Sequence, residues 1–185
     1  DLVFPYMRRF DYAFFVNPEI KNTFLIGGGG FAYPKFYVHT YENAEITVSE
    51  INTDVISVAF QYFGLHDLSE DETKRMLIVN EDGIDFLRES NKKFDLIIND
   101  AFTGKKEQRR DEESIQIIHD ALHEKGIYIV NVPTALSGPF AKKGNAFRKL
   151  LQNHFKHTVL LATQEEKQPF EKQNVLMISS DSELL

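Results

Sequence analysis

Four groups of residues have the types and spacing from which a ligand site can be built. Gly27, Gly28, Gly29 and Gly30 stand in a row between an apolar run and an aromatic one, in FLIGGGGFAYPKF. Glu50 closes EITVSE and precedes Ile51; Asp82 and Gly83 follow MLIVNE; Asp100 and Ala101 follow the almost wholly apolar FDLIIN. Bare glycine backbone admits positive φ and lets N–H groups approach a ligand, and the start of a following helix favours negative charge. α/β proteins bring main chain close to a nucleotide in this way. A carboxylate at Glu50 can accept from both hydroxyls of a ribose. One at Asp82 can accept from an adenine amino group or cap its own helix. Taken singly, these residues are turn formers and caps; taken together, at four successive strand ends, they describe a pocket.

The elements that must position them read as strands alternating with helices. Residues 23–27 form a short buried strand and residues 31–41 a helix, with Pro34 tolerable only in its first turn. Residues 45–50 alternate as a strand. Asn52 or Thr53 then caps a helix running to Phe63, with Val55, Ile56, Ala59 and Phe63 on one face and Gly64 as its stop. Residues 67–74 read as a loop, 76–80 as a strand, and 82–89 as a short helix turning Ile84, Phe86 and Leu87 inward. The continuous apolar character of residues 94–99 suits a central parallel strand covered on both faces. After a polar loop over 103–110 comes a helix with Ile115, Ile118 and Leu122 on its buried stripe, then a strand over 127–132 and a helix over 145–155. Strands at 157–162 and 174–179 have no helix between them and should pair as an antiparallel hairpin. The fold class is therefore α/β, a doubly wound and mostly parallel sheet ending in an antiparallel hairpin. Residues 1–22 form an N-terminal helical segment, with 2–16 as an amphipathic helix on the sheet or over the site, and residues 23–185 form the α/β domain. In such sheets ligands bind beyond the carboxyl ends of the strands, where strand order reverses.

Composition narrows the function. The chain of 185 residues carries a net charge of -7, which argues against nucleic acid as the partner. No apolar stretch approaches the roughly 20 residues that span a bilayer, and nothing at the start resembles a secretory signal; no membrane partner and a cytoplasmic location are expected. The absence of cysteine excludes disulfides, zinc thiolates and a cysteine nucleophile. His119 and His123 flank Asp120 in imitation of a metalloprotease helix, but they sit at the edge of the buried stripe with no third ligand, so no metal is expected. The run KKEQRRDEE reads as a solvated loop and helix start, or as a lid over the site because it follows Asp100. Gly27, Gly29 and Ala32, with Glu50 at a suitable distance, also meet the loose dinucleotide fingerprint, so an NAD-dependent oxidoreductase is an alternative. The Asp82-Gly83 pair and the terminal hairpin favour S-adenosylmethionine instead.

Together FLIGGGG, TVSEIN, VNEDGIDFLR and FDLIINDAFTG resemble the spermidine synthase family and its spermidine-synthase-like relatives, in order and spacing, across residues 1–132. The resemblance implies the S-adenosylmethionine-dependent methyltransferase fold and transfer of an aminopropyl group from decarboxylated S-adenosylmethionine to a diamine. It implies that Gly27, Gly28, Gly29, Gly30, Glu50, Ile51, Asp82, Gly83, Asp100 and Ala101 face the cofactor, with Glu50 at the ribose and Asp82 at the adenine. It places Asp100 beside the transferable group and the attacking amine, as the catalytic carboxylate. It also implies a homodimer, because relatives commonly pair.

The departures from that pattern all act in one direction. The family's aspartate after the glycines is Gly30 here; the second aspartate after the fourth strand is Thr103; Tyr6 is followed by Met7, Arg8 and Arg9; and the small N-terminal β-domain has no counterpart in these residues. A polycationic amine needs carboxylates to bind it and to take its proton. Their loss leaves cofactor binding as the firmer expectation and opens room at Gly30 for the carboxylate of intact S-adenosylmethionine, hence for methyl transfer. Tyr6 and Thr103 lie on the side of the small-molecule acceptor. A noncatalytic cofactor-binding or oligomerisation module is the alternative that dispenses with chemistry.

Overall fold

The computed structural model describes residues 4–101 and 110–184. Among these, strands β1 (Asn22–Ile26), β2 (Glu45–Ser49), β3 (Met76–Val79), β4 (Phe94–Asn99), β5 (Leu122–Thr134), β6 (His157–Ala162) and β7 (Gln173–Ser180) form one sheet. Its order is β3-β2-β1-β4-β5-β7-β6. The first five strands run parallel, and β7 lies antiparallel to both β5 and β6. The order reverses between β1 and β4, the two strands that bear the glycine run and Asp100.

Helices α3 (Ala32–Thr40), α4 (Thr53–Tyr62), α6 (Gly83–Glu89), α7 (Glu112–Asp120) and α8 (Lys142–His154) cover the two faces. Side chains alternate across the pleat. Leu25, Val48, Ile98 and Ile129 join a core with Tyr33, Tyr37 and Ala59, while Phe24, Ile97, Tyr128 and Val130 join another with Ile84, Ile115 and Leu151. Both faces of β4 are thereby buried, which is why FDLIIN reads as continuously apolar. Each fully buried Ile or Leu there contributes about 1.5–3 kcal/mol.

Register prepares the site. Val79, Ser49, Ile26, Asn99 and Val130 align across five neighbouring strands. The next residues, Asn80, Glu50, Gly27, Asp100 and Asn131, therefore form a single row at the carboxyl edge.

The structure corrects several expectations. Residues 5–16 are not one regular helix: α1 (Pro5–Arg8) and α2 (Tyr12–Val16) are joined by a tight 3-10 turn at Arg9–Asp11. The path stays right-handed while Phe10 and Ala13 become fully buried against the sheet. Residues 67–74 are not a plain loop. Ser69 and Glu72 form a capping box that starts helix α5 (Glu70–Lys74), satisfying two helix-end donors locally. Phe63 leaves the buried stripe of α4 and is 51% exposed. Leu122 belongs to β5, where it pairs with Phe94, and the register shifts before Leu96 meets Ile127. Asn52 does cap α4, accepting from the Asp54 N–H at 2.9 Å. No helix among the described residues is long and apolar enough to cross a membrane.

Gly83 opens α6 against the sheet: a Cβ there would stand 2.8 Å from Cγ2 of Ile26 and 3.2 Å from Oγ of Ser49. Gly83→Ala should accordingly destabilise the protein by about 1–3 kcal/mol through overpacking, read as a lowered denaturant midpoint. An unchanged midpoint would show that β1 yields without cost.

Candidate functional site

Beyond Ile26 the chain turns sharply. Gly27 takes φ 95°, and its N–H donates to the Ser49 carbonyl at 2.8 Å. A Cβ on Gly27 would lie 2.8 Å from Cα and 2.9 Å from N of Ala101, so β1 and β4 leave the sheet with their backbones in contact. No other residue type fits this combination of positive φ and close approach.

The carboxylate of Glu50 then holds the loop. Oε2 accepts from Gly28 N–H at 3.0 Å and Gly29 N–H at 3.1 Å, and Oε1 accepts from Asn52 N–H at 3.0 Å. Glu50 is 9% exposed, yet its charge is met by backbone donors. Three of its roughly four acceptor positions are taken. The carboxylate that the sequence presents as open is thus turned onto its own glycine loop. Phe31, at φ 55°, is the one non-glycine residue in the left-handed region among those described. Such a conformation costs on the order of 1–3 kcal/mol, offset here by complete burial of the ring, which occupies the space beside Gly28. Gly29 and Gly30 face outward: nothing lies within 4 Å of a Cβ on Gly29, and only the Phe63 ring, at 3.7 Å, approaches one on Gly30.

The ends of β2 and β3 are tied together beside this loop. Asn80 Nδ2 donates to the Glu50 carbonyl at 2.7 Å, and Ser49 Oγ to the Glu81 carbonyl at 2.7 Å. Asp82 caps α6, Oδ1 accepting from Ile84 N–H at 2.9 Å and Asp85 N–H at 3.2 Å. Ile51 stands at the same strand end with 65% of its surface exposed.

Asp100 lies one step past β4 on the face that carries the N-terminal segment, and that segment brings Tyr6 to it. Tyr6 OH donates to Oδ2 at 3.1 Å, and Asn131 Nδ2 to Oδ1 at 2.9 Å. Burial pushes the Asp100 carboxyl up to about 6, against the pull of those two donors and of the Arg110 charge. Burial and the neighbouring Asp100 raise the Tyr6 phenol well above its usual value, so it remains a donor. Arg110 Nη2 donates to the Asn131 carbonyl at 2.9 Å, and its guanidinium lies 5.4 Å from the centre of the Phe147 ring.

The predicted residues Gly27, Gly28, Gly29, Gly30, Glu50, Asp100 and Ala101 thus converge, and Tyr6 meets Asp100 directly. Asp82 and Gly83 adjoin them but are occupied with capping and packing. Thr103, and residues 105–109 of the run over 105–113 that reads as a solvated loop and helix start or as a lid, lie outside the described residues, while α7 begins at Glu112 as a helix start there requires. The sequence reading missed Asn131 and Arg110. A lone polar residue in IYIVNV was a signal for the first. The second was hidden in a charge run read as solvated; Arg110 instead turns inward. His119, set aside as a ligand, pairs with Asp181 at 3.0 Å.

Comparison with known proteins places the chain in a family. The model of the spermine/spermidine synthase domain matches residues 11–137. The polyamine aminopropyltransferase of Alkaliphilus metalliredigens (strain QYMF) is 32% identical over 130 residues, covering 69% of this chain. This chain spans 45% of that relative, less than half its length. A probable spermidine synthase from Corynebacterium glutamicum ATCC 13032 superposes with a TM-score of 0.82 at 19% identity, covering 99% of this chain and 66% of that one. Human methyltransferase-like protein 13, solved in complex with SAH, superposes with a TM-score of 0.76 at 16% identity, covering 95% of this chain and 82% of that one. The two structures share the fold, and the family match spans more than half of the chain: it belongs to the spermine/spermidine synthase domain family.

Proposed function

We propose that this chain is a transferase that takes S-adenosylmethionine or its decarboxylated form as donor and alkylates a small amine acceptor. The observation that carries the reading is the row at the carboxyl edge. A glycine loop held by Glu50 lies beside an Asp100 that is buried, gripped by Tyr6 and Asn131, and poised near neutrality. The Alkaliphilus relative's name supports aminopropyl transfer, and the SAH complex of the human neighbour supports a donor of this chemical family.

The residues present fit such a donor. Gly29 and Gly30 leave open backbone with free space beside it. Glu50 keeps an acceptor position toward a ribose and can exchange a glycine N–H for a hydroxyl. Ile51 offers an exposed apolar face to a base, and Asp82 and Gly83 stand at the start of α6 after the neighbouring strand. Residues 23–185 act as the donor-binding unit, and the N-terminal segment contributes Tyr6. When bound, the donor supplies an electrophilic carbon on a sulfonium and a thioether leaving group, so the protein's task is positioning and proton transfer. Asp100 is ionised above pH 6 and can take the proton that an amine releases. Asn131 and Tyr6 orient its two oxygens.

A noncatalytic module is the second reading, favoured by the engagement of Glu50 with its own loop. Calorimetric titration with S-adenosylmethionine, its decarboxylated form and NAD separates the readings. One of the first two should bind and NAD should not; binding of none, in folded protein, leaves the module. Gly30 has ordinary φ and space for a side chain, so Gly30→Asp should fold and shift preference at least tenfold toward the decarboxylated donor, whose amine it would face. An unchanged ratio would remove Gly30 from donor selection.

Asp100→Asn should abolish turnover while leaving donor binding intact. Wild-type turnover should rise with pH through about 6. The raised carboxyl also sets a sign for stability. Ionisation of Asp100 penalises the native state, so its cost is absent below about pH 4 and complete above about pH 6. Asp100→Asn should therefore raise stability by about 1–3 kcal/mol at pH 8 and add almost nothing at pH 4. Chemical denaturation at the two pH values checks this, and equal effects at both would place the gain outside Asp100 ionisation.

A further inference from the structure

At the carboxyl edge Asp100 and, beside the row, Arg110 feel each other's charge without forming a salt bridge. Asp100 takes its hydrogen bonds from two neutral donors, Tyr6 and Asn131. Among the described residues no carboxylate lies within 4.0 Å of the Arg110 guanidinium, whose one hydrogen bond is to the Asn131 carbonyl. Asn131 therefore stands between the two charges, its amide toward the acid and its main chain toward the cation. Phe147 of α8 supports the guanidinium from the other face of the sheet.

Two buried polar atoms in this cluster have no partner among the described residues: Nε of Arg110, a donor, and Oδ1 of Asn131, an acceptor. An unsatisfied group of this kind costs about 1–3 kcal/mol, and more when charged. Arg110 as a whole is only partly buried. A donor on a cation and an acceptor beside a carboxylate, held apart by one residue, complement a zwitterion. They oppose a dication, whose second ammonium would come to rest beside a guanidinium; such like-charge contacts cost several kcal/mol.

We infer that the acceptor is an amine that also carries a carboxylate, its amine directed to Asp100 and its carboxylate to Arg110. Arg110 is thus a specificity residue of the acceptor side. The planar guanidinium suits a carboxylate in geometry as well as in charge. The inference rests on the donor reading of the previous section, because the amine is the group that the donor alkylates.

The test uses the chain saturated with the thioether product of its donor, SAH for S-adenosylmethionine or methylthioadenosine for the decarboxylated form; both are titrated first. ω-Amino acids of three to six carbons are then compared with α,ω-diamines of matched length, at fixed ionic strength, by calorimetry. In the wild type at least one amino acid should bind tenfold or more tightly than its matched diamine. Arg110→Met and Arg110→Gln should erase or reverse that preference, and Arg110→Lys should retain part of it; two charge-removing variants of different polarity guard against a folding failure in one. Equal or tighter diamine binding at every length, no amino-acid binding, or a ratio unchanged in the variants would overturn the assignment. Failure of both SAH and methylthioadenosine to bind removes the donor reading and this inference with it. Binding of either without acid preference removes this inference alone.

Discussion

The carboxylate of Glu50 is the contact on which the edge of the sheet depends. It reaches from the end of β2 across to the glycine loop after β1, and it takes backbone donors from both sides. Without it, Gly28 and Gly29 would present unsatisfied N–H groups at a point where Phe31 already sits in a strained left-handed conformation. A buried charge met by backbone dipoles is stable only while those dipoles stay in place. Loop and carboxylate therefore order each other. A ligand entering here competes with an interaction already made, which sets a threshold on what can bind.

Asp100 shows the complementary economy. Its burial raises the carboxyl to about 6, and the two neutral donors keep it from rising further. A group so placed weakens the fold when ionised and serves as a proton acceptor when chemistry requires one. The N-terminal segment enters this balance through Tyr6. It reaches Asp100 because Phe10 and Ala13 anchor the segment on the face toward which β4 points that residue. Packing far from the chemistry thereby aims a hydroxyl at it.

Much of this could be read from the residues alone. The glycine run, Glu50, Asp82 and Asp100 identify four strand ends, and the apolar run FDLIIN identifies the centre of the sheet. The antiparallel hairpin follows from two strand patterns with no helix between them, and β7 pairs with β6 as that pattern implies. Helix starts were legible where a cap was present, as at Asn52, and lost where the capping pair lay in an acidic run, as at Ser69 and Glu72. Phe63 and Leu122 were misplaced for a common reason. Periodicity locates an apolar residue on a stripe but does not say where the helix ends.

Local patterning thus sufficed for the fold class, the strand ends and the identity of the acids, because each depends on residues close together in the chain. The state of those acids did not follow from it. Glu50 is turned to its own loop, Asp100 is raised toward neutrality, and Arg110 is drawn from a polar run to the edge of β5. Each outcome depends on burial and on partners 21 to 94 residues away in sequence. Charge and hydrogen bonding act through space, so only the register of the assembled sheet sets which groups face one another.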